Sequence, residues 1–132
     1  MPSYGTPQAG YNGPPDQGLN IRAVYPGDSY TLFDGTETGA EGLKSVSFAR
    51  AMSPSSDDAG CSFFVSGMEA TTEVDIQGAN EDLDGSYTTL NTITADAGGN
   101  GSYTDVGRAQ FYRAVLSTYG GGDDMPVVTV QR

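Results

Sequence analysis

Short runs of alternating apolar and polar residues recur from about residue 20 onward, and clusters of Gly, Pro, Asp and Ser separate them. In the clearest run, Thr71–Gln77, Val74 and Ile76 alternate with Glu73 and Asp75. Successive side chains of a strand point to opposite faces of its sheet. This run therefore predicts a strand with an aliphatic inner face and an acidic outer face.

Seven further runs are rich in β-branched and aromatic residues and are bounded by turn residues, which also predicts strands. They are Ile21–Pro26, Tyr30–Phe33, Leu43–Arg50, Cys61–Val65, Tyr87–Thr94, Ala109–Thr118 and Met125–Gln131. We therefore predict an all-β fold, an antiparallel β-sandwich of the jelly-roll or immunoglobulin-like type, with about seven or eight strands.

The residues between the runs predict how the strands are connected. Gly27-Asp28 predicts a hairpin between the first two runs. The polar segment Gly78–Ser86 predicts the long tip of a second hairpin. Met52–Gly60 and Ala95–Ser102 are rich in Gly, Ser and Asp, and we expect both to be exposed loops.

For two of the runs, the sequence also predicts the position of the strand or the orientation of its side chains. The run Ala109–Thr118 has mixed faces, which predicts a central strand, and an amphipathic helix over Val106–Leu116 is the alternative. In Cys61–Val65, the alternation of a strand places Phe63 and Phe64 on opposite faces of the sheet.

The first 18 residues, MPSYGTPQAGYNGPPDQG, have Met1 and Ala9 as their only aliphatic side chains. Such a segment cannot bury enough apolar surface to fold alone, and its Pro and Gly residues favour extended conformations. We predict an extended low-complexity arm over residues 1–18 and a β-sandwich domain over residues 19–132. We expect contacts within an assembly to hold the arm, and the alternative is an arm folded back on its own domain.

The chain is strongly acidic, with 17 Asp and Glu residues, six Lys and Arg residues and a net charge of −11. Lys44 is its only lysine, so a surface that neutralises phosphates is nearly absent. We therefore expect neither nucleic acid nor an anionic membrane as a partner. No apolar run approaches the roughly 20 residues that a membrane span needs, and we expect a soluble protein.

Cys61 is the only cysteine, and the chain has no histidine. An internal disulfide cannot form, and we predict that Cys61 is a small core residue. Most transition-metal sites and all His-based triads lack their ligands or bases here. No phosphate loop, dinucleotide motif or Gly-x-Ser-x-Gly sequence occurs either. We therefore predict no catalytic residue, no cofactor, no metal site and no enzymatic activity.

The segment Asn80-x-Asp82-x-Asp84-Gly85 is similar to the opening of a calcium-binding loop, where alternate oxygen ligands surround a hard cation. Its twelfth position is Asn91, where such loops have a bidentate Glu, and predicted strands flank it where such loops have helices. We favour a polar hairpin tip that turns at Asp-Gly, with calcium binding as the alternative.

Three adjacent acidic pairs could suggest glycosidase carboxylates: Asp57-Asp58, Glu81-Asp82 and Asp123-Asp124. Each pair lies in a loop rich in Gly or Ser, and we expect these carboxylates to be solvated.

Arg108 and Arg113 lie in or beside the predicted central strand. A cation there needs a carboxylate or carbonyl partner, because an unpaired buried charge is too costly. We predict a buried or interfacial ion pair with a structural role, with ligand binding as the alternative.

Residues 73–132 resemble the small β-sandwich domains of tailed-bacteriophage virion proteins. The stretches that carry the resemblance are Val74–Asn80, Tyr87–Leu90, Phe111–Ala114 and Val127–Val130. A similar order of strand, polar tip, threonine-rich strand and aromatic-Arg strand occurs in discoidin-like carbohydrate-binding sandwiches. The virion resemblance implies a capsid decoration protein, in which a small acidic β-domain reaches a neighbouring subunit with a terminal arm.

We therefore expect a virion structural protein, most specifically a head decoration or cement subunit, in virions assembled in the host cytoplasm. The expected partners are the major capsid protein or other virion proteins, and further copies of this chain. Attachment of a tail or head fibre is the nearest variant. A carbohydrate-binding module and an unrecognised hydrolytic enzyme are the alternatives from other classes. The loops contain mostly Gly, Asp and Ser, which argues against sugar binding.

Overall fold

A computed structural model describes residues 22–25, 27–50, 60–107, 109–120 and 125–132. Nine strands occur in these residues. They are β1 (Arg22–Val24), β2 (Ser29–Asp34), β3 (Phe48–Arg50), β4 (Cys61–Ser66), β5 (Glu73–Ala79), β6 (Thr88–Thr94), β7 (Gly101–Asp105), β8 (Phe111–Thr118) and β9 (Val127–Gln131). One 3-10 turn, Asp84–Ser86, precedes β6.

The strands form two sheets, one in the order β1-β3-β8-β5-β6 and the other in the order β2-β9-β4-β7. Every neighbouring pair is antiparallel except β1 and β3, which are parallel. The predicted all-β class and antiparallel β-sandwich are confirmed. Within the described residues, no helix is long and apolar enough to cross a membrane.

The hydrophobic core lies between the two sheets and receives side chains from both. Phe48 and Tyr112 of the five-stranded sheet stack with ring centroids 5.5 Å apart, and Phe63 of the other sheet packs against both rings. Val128 and Val130 of β9 are fully buried beside them. This arrangement follows the alternation seen in the sequence, since Val74 and Ile76 are buried while Glu73, Asp75 and Gln77 are partly exposed.

Strand β8 occupies the centre of the five-stranded sheet, which confirms the predicted central strand. The alternative helix over Val106–Leu116 is wrong. Aromatic and β-branched residues favour the pleated, two-sided environment of a central strand, and Tyr112–Leu116 is buried throughout. The predicted β5–β6 hairpin is also confirmed. Strand β5 continues through Gly78 and Ala79, which were predicted to belong to the tip. Position 78 requires glycine, because a Cβ there would lie 2.8 Å from the Ala109 Cβ.

The predicted hairpin between the first two runs is wrong. The chain does turn there, with the Asp28 amide donating to the Tyr25 carbonyl at 2.9 Å and Gly27 at φ 92°. The turn carries the chain from one sheet to the other, so β1 pairs with β3 and β2 pairs with β9. A turn sequence specifies a local reversal but not which strands pair after it.

Two boundaries also differ from the predictions. Leu43–Arg50 is not one strand, because only β3 pairs continuously and Lys44 forms an isolated bridge with Val115. Strand β7 lies partly in the predicted loop Ala95–Ser102, and it raises the count to nine. Its sequence, GSYTD, contains one large apolar residue and so gives no strand signal.

Several predictions fall on residues outside those described. They concern the arm over residues 1–18, the loop Met52–Gly60 apart from Gly60 itself, Arg108, Asp57-Asp58 and Asp123-Asp124.

Candidate binding face on the four-stranded sheet

Arg113 projects from β8 toward the hairpin tip, defined as residues 80–87, and has the carboxylate partner that the sequence predicts. Its Nη1 donates to Asp84 Oδ1 at 2.8 Å, and its Nε donates to Gln77 Oε1 at 2.8 Å. Its guanidinium carbon lies 4.0 Å from the centre of the Tyr87 ring. The Arg113 side chain is 10% exposed, whereas that of Asp84 is 74% exposed. The pair therefore joins a buried cation to a solvated anion.

The tip uses its carboxylates for its own structure. Asp82 accepts a hydrogen bond from the Tyr87 hydroxyl at 2.6 Å. Arg113, with a contribution from Lys44, lowers the pKa of Asp84 below the usual carboxyl range. Within the described residues, no three His, Cys, Asp or Glu side chains are grouped to hold a metal ion. Asp84-Gly85 lies in the 3-10 turn, consistent with the hairpin-tip interpretation.

The outer face of the five-stranded sheet is joined by its own hydrogen bonds. Asp75 accepts from the hydroxyls of Thr92 at 2.7 Å, Ser117 at 3.0 Å and Thr89 at 3.3 Å, which come from the two strands beside β5. The Arg113 contacts lie on the same face. The polar groups named here therefore bond to one another within the domain.

A second polar cluster lies inside the sandwich, around the carboxylate of Asp105, which is 1% exposed. It accepts from the hydroxyls of Tyr112 at 2.6 Å and Tyr103 at 2.9 Å and from the Gly107 amide at 3.0 Å. Burial and the bond to Asp105 raise the pKa of Tyr112. Three donors on one enclosed carboxylate indicate a structural role. Sequence analysis missed Asp105, although alternation from Ser102 places it on the inner face.

Cys61 is buried beside this cluster, as predicted for a core residue.

The outer face of the four-stranded sheet differs, because it exposes an aromatic ring. Phe64 of β4 is 48% exposed while Phe63 is fully buried, which confirms that they lie on opposite faces. Across the ladders, Phe64 pairs with Ser102 of β7 and Thr129 of β9. These neighbours are too small to cover the ring, so its surface is available to a partner.

An open groove of about 410 Å³ lies beside this ring. Strands β4, β7 and β9 form its floor, and the loop before β7 contributes Asp96 and Asn100. Gly101 at the start of β7 permits close packing, since a Cβ there would lie 2.4 Å from the Ile93 Cγ2. The groove spans three strands that are distant in sequence, so no local motif could have revealed it.

Backbone hydrogen bonds hold the groove's loop in place. Asp96 Oδ1 accepts from the amides of Gly98 at 2.7 Å and Asn100 at 3.0 Å. These hydrogen bonds lower the pKa of Asp96, with the bond from the Asn100 amide contributing most, and thereby favour its ionised form. The amide of Met68 donates to the Gly99 carbonyl at 3.0 Å and ties the loop to the end of β4. The groove is therefore bordered by a fixed carboxylate.

No protein-family model, curated protein or solved structure matches this chain.

Proposed function

We propose that the chain is a virion structural protein, a head decoration or cement subunit that binds neighbouring capsid proteins through its arm and its β-domain. Tail or head-fibre attachment is the variant that uses the same surfaces. The proposal applies to virions assembled in the host cytoplasm, with the major capsid protein and further copies of this chain as partners.

The observation that carries the proposal is the position of β1 at the edge of its sheet. The arm precedes β1, which is an outer strand of the five-stranded sheet and has β3 as its only neighbour among the described strands. An outer strand with one side unpaired can add a strand from another chain through main-chain hydrogen bonds. The arm, which the sequence predicts to be extended, precedes this outer strand in the chain, and we propose that the two together form the contact with a neighbouring subunit.

Two properties of the domain fit a subunit bound to a larger assembly. Its core draws on buried side chains from Val24 to Val130, so the sandwich has its own packed interior. Its net charge of −11 disfavours binding to packaged nucleic acid and favours an outer position on a particle.

The test is direct detection of the chain in purified virions. Virus particles produced by cells whose genome or resident virus encodes the chain would be purified on a density gradient and examined by mass spectrometry and by electron cryo-microscopy. We expect the chain to sediment with the particles and the β-sandwich to occupy symmetric positions on the capsid surface, with density for the arm on an adjacent subunit. Its absence from washed particles, with the chain recovered free in the lysate, would contradict the proposal.

A further inference from the structure

The ring of Phe64 lies at the floor of a groove that is also lined by Val65, Gly101 and Val127 and by several polar residues. On either side of the ring are the hydroxyl residues Ser102 and Thr129, and Ser66 and Asn100 continue the lining. The volume of about 410 Å³ falls within the range of small-molecule sites. An apolar floor with hydrogen-bonding groups beside it suits a ligand that has both an apolar face and several hydroxyl groups.

The charge of the groove narrows the class of ligand. Among the described residues that line the groove, Asp96 is the only ionisable one, and none of them is a cation. The whole chain carries −11, so phosphorylated, sulfated or sialylated ligands would meet an unfavourable potential. A long apolar peptide would also be poorly matched, because Phe64 is the one exposed large apolar side chain in the lining.

Neutral sugars have the matching chemistry. The C–H groups on one face of a pyranose ring are slightly positive and pack on the negative face of an aromatic ring. Sugar hydroxyls donate to a carboxylate and accept from an amide, and a carboxylate bond is the stronger of the two. The bonds from Gly98 and Asn100 fix Asp96 before any ligand arrives, which lowers the ordering cost of binding.

We propose that this groove binds a neutral glycan, with a pyranose ring on Phe64 and hydroxyl groups on Asp96 and Asn100. This binding activity goes beyond the structural role in the virion and does not depend on it. Such a site would let the domain hold a surface polysaccharide while its arm and β1 edge engage other proteins.

The test begins with the full chain on an array of neutral and sialylated glycans. Bound neutral glycans would then be titrated into isotope-labelled full chain and followed by NMR, alongside maltotriose, N-acetylglucosamine and sialyllactose. We expect a neutral glycan to shift the amide signals of Asn100, Ser102 and Thr129. Sialyllactose should leave these signals unchanged.

Substitutions assign the binding to the groove. Phe64→Ala and Asp96→Asn should each weaken binding at least ten-fold, whereas Phe64→Tyr should retain it. Tyr25→Ala is the matched control, because Tyr25 is 47% exposed but does not line the groove. The dispersion of each variant's amide spectrum would show that the domain is folded.

Four outcomes would overturn the proposal: no neutral glycan binds, sialylated glycans alone bind, Phe64→Ala binds as well as the unmodified chain, or removal of residues 1–18 shifts the groove signals without ligand. The last outcome would identify the arm as the occupant. Incorporation of Phe64→Ala into particles is measured separately, so loss of sugar binding and loss of the virion role are distinguishable.

Discussion

Arg113 and Asp84 join the central strand of the five-stranded sheet to the tip of the β5–β6 hairpin through a 2.8 Å ion pair. The two side chains differ in environment, since that of Arg113 is 10% exposed and that of Asp84 is 74% exposed. Sequence reasoning predicts the pair and its structural role. Because Asp84 is exposed, removal of the Arg113 cation does not leave a buried anion behind. The expected loss of stability is therefore smaller than for a fully buried pair.

We expect Arg113→Ala to lower the free energy of unfolding by about 2 kcal/mol, less than the roughly 3–5 kcal/mol of a fully buried pair. The loss comes from the bond to Gln77 and the packing on Tyr87. Urea unfolding measures it. Asp84→Asn is the paired variant. It keeps the contacts of Arg113 with Gln77 and Tyr87 but leaves this buried cation without its carboxylate, so it should lower the midpoint by a smaller amount than Arg113→Ala. A larger loss for Asp84→Asn than for Arg113→Ala would contradict this assignment.

Asp105→Ala should be among the most destabilising single substitutions in the chain. It removes an acceptor that three donors share inside the sandwich, including the Tyr112 hydroxyl. Leaving such donors unsatisfied costs about 3 kcal/mol or more. Thr104→Ala, on the exposed side of the same strand, should change stability by under about 0.5 kcal/mol. Thermal unfolding of both variants provides the comparison, and equal melting temperatures would refute a structural role for Asp105.

Local alternation was sufficient to predict most strands, since β5, β6, β8 and β9 each contain several apolar or β-branched residues in phase. It could not predict pairing between distant segments. The parallel pair joins Arg22–Val24 to Phe48–Arg50, and no residue near Gly27 encodes that distant partner.

The candidate site shows the same limit. The exposure of Phe64 could be predicted from its neighbour Phe63, because the two must face opposite ways. The groove could not be predicted from the sequence, because it forms only when β7 pairs with β4 and the loop that contains Asp96 lies beside them. Strand β7 has Tyr103 as its one large apolar residue, so its sequence does not predict a strand. The groove that depends on this strand could therefore not be predicted either.

Stability should fall at alkaline pH. Burial, with a hydrogen bond to Asp82, raises the pKa of Tyr87 from 10.0 to about 12, and burial also raises that of Tyr112. Above about pH 10 the unfolded chain releases protons that the folded chain keeps, so the free energy of unfolding decreases as pH rises further. Urea midpoints between pH 7 and pH 12 would show a plateau and then a decline. Tyr87→Phe should make the decline shallower, and an unchanged slope would argue against its contribution.

Calcium should not raise the melting temperature of the full chain. Asp84 is engaged by Arg113, and Asp82 accepts from Tyr87, so the tip would have to break both contacts to surround a cation. A ligand that binds only the native state raises its stability by mass action. Melting curves with calcium, with magnesium and with a chelator should therefore coincide. A calcium-specific rise of several degrees that Asp82→Asn abolishes would restore the cation-site alternative.

Deletion of residues 2–18 should leave folding of the domain intact but reduce its incorporation into particles. The arm contains Met1 and Ala9 as its only aliphatic side chains, whereas the sandwich packs buried residues from Val24 to Val130. We therefore expect the shortened chain to melt within a few degrees of the full chain, because the arm has little apolar area that folding could bury. If the arm makes the proposed contact with a neighbouring subunit, recovery of the shortened chain with particles should fall at least ten-fold. Replacing residues 2–18 with a Gly-Ser segment of equal length is the control for chain length and should behave like the deletion. If the shortened chain unfolds, the arm belongs to the domain; if it assembles normally, the β-domain alone makes the contact.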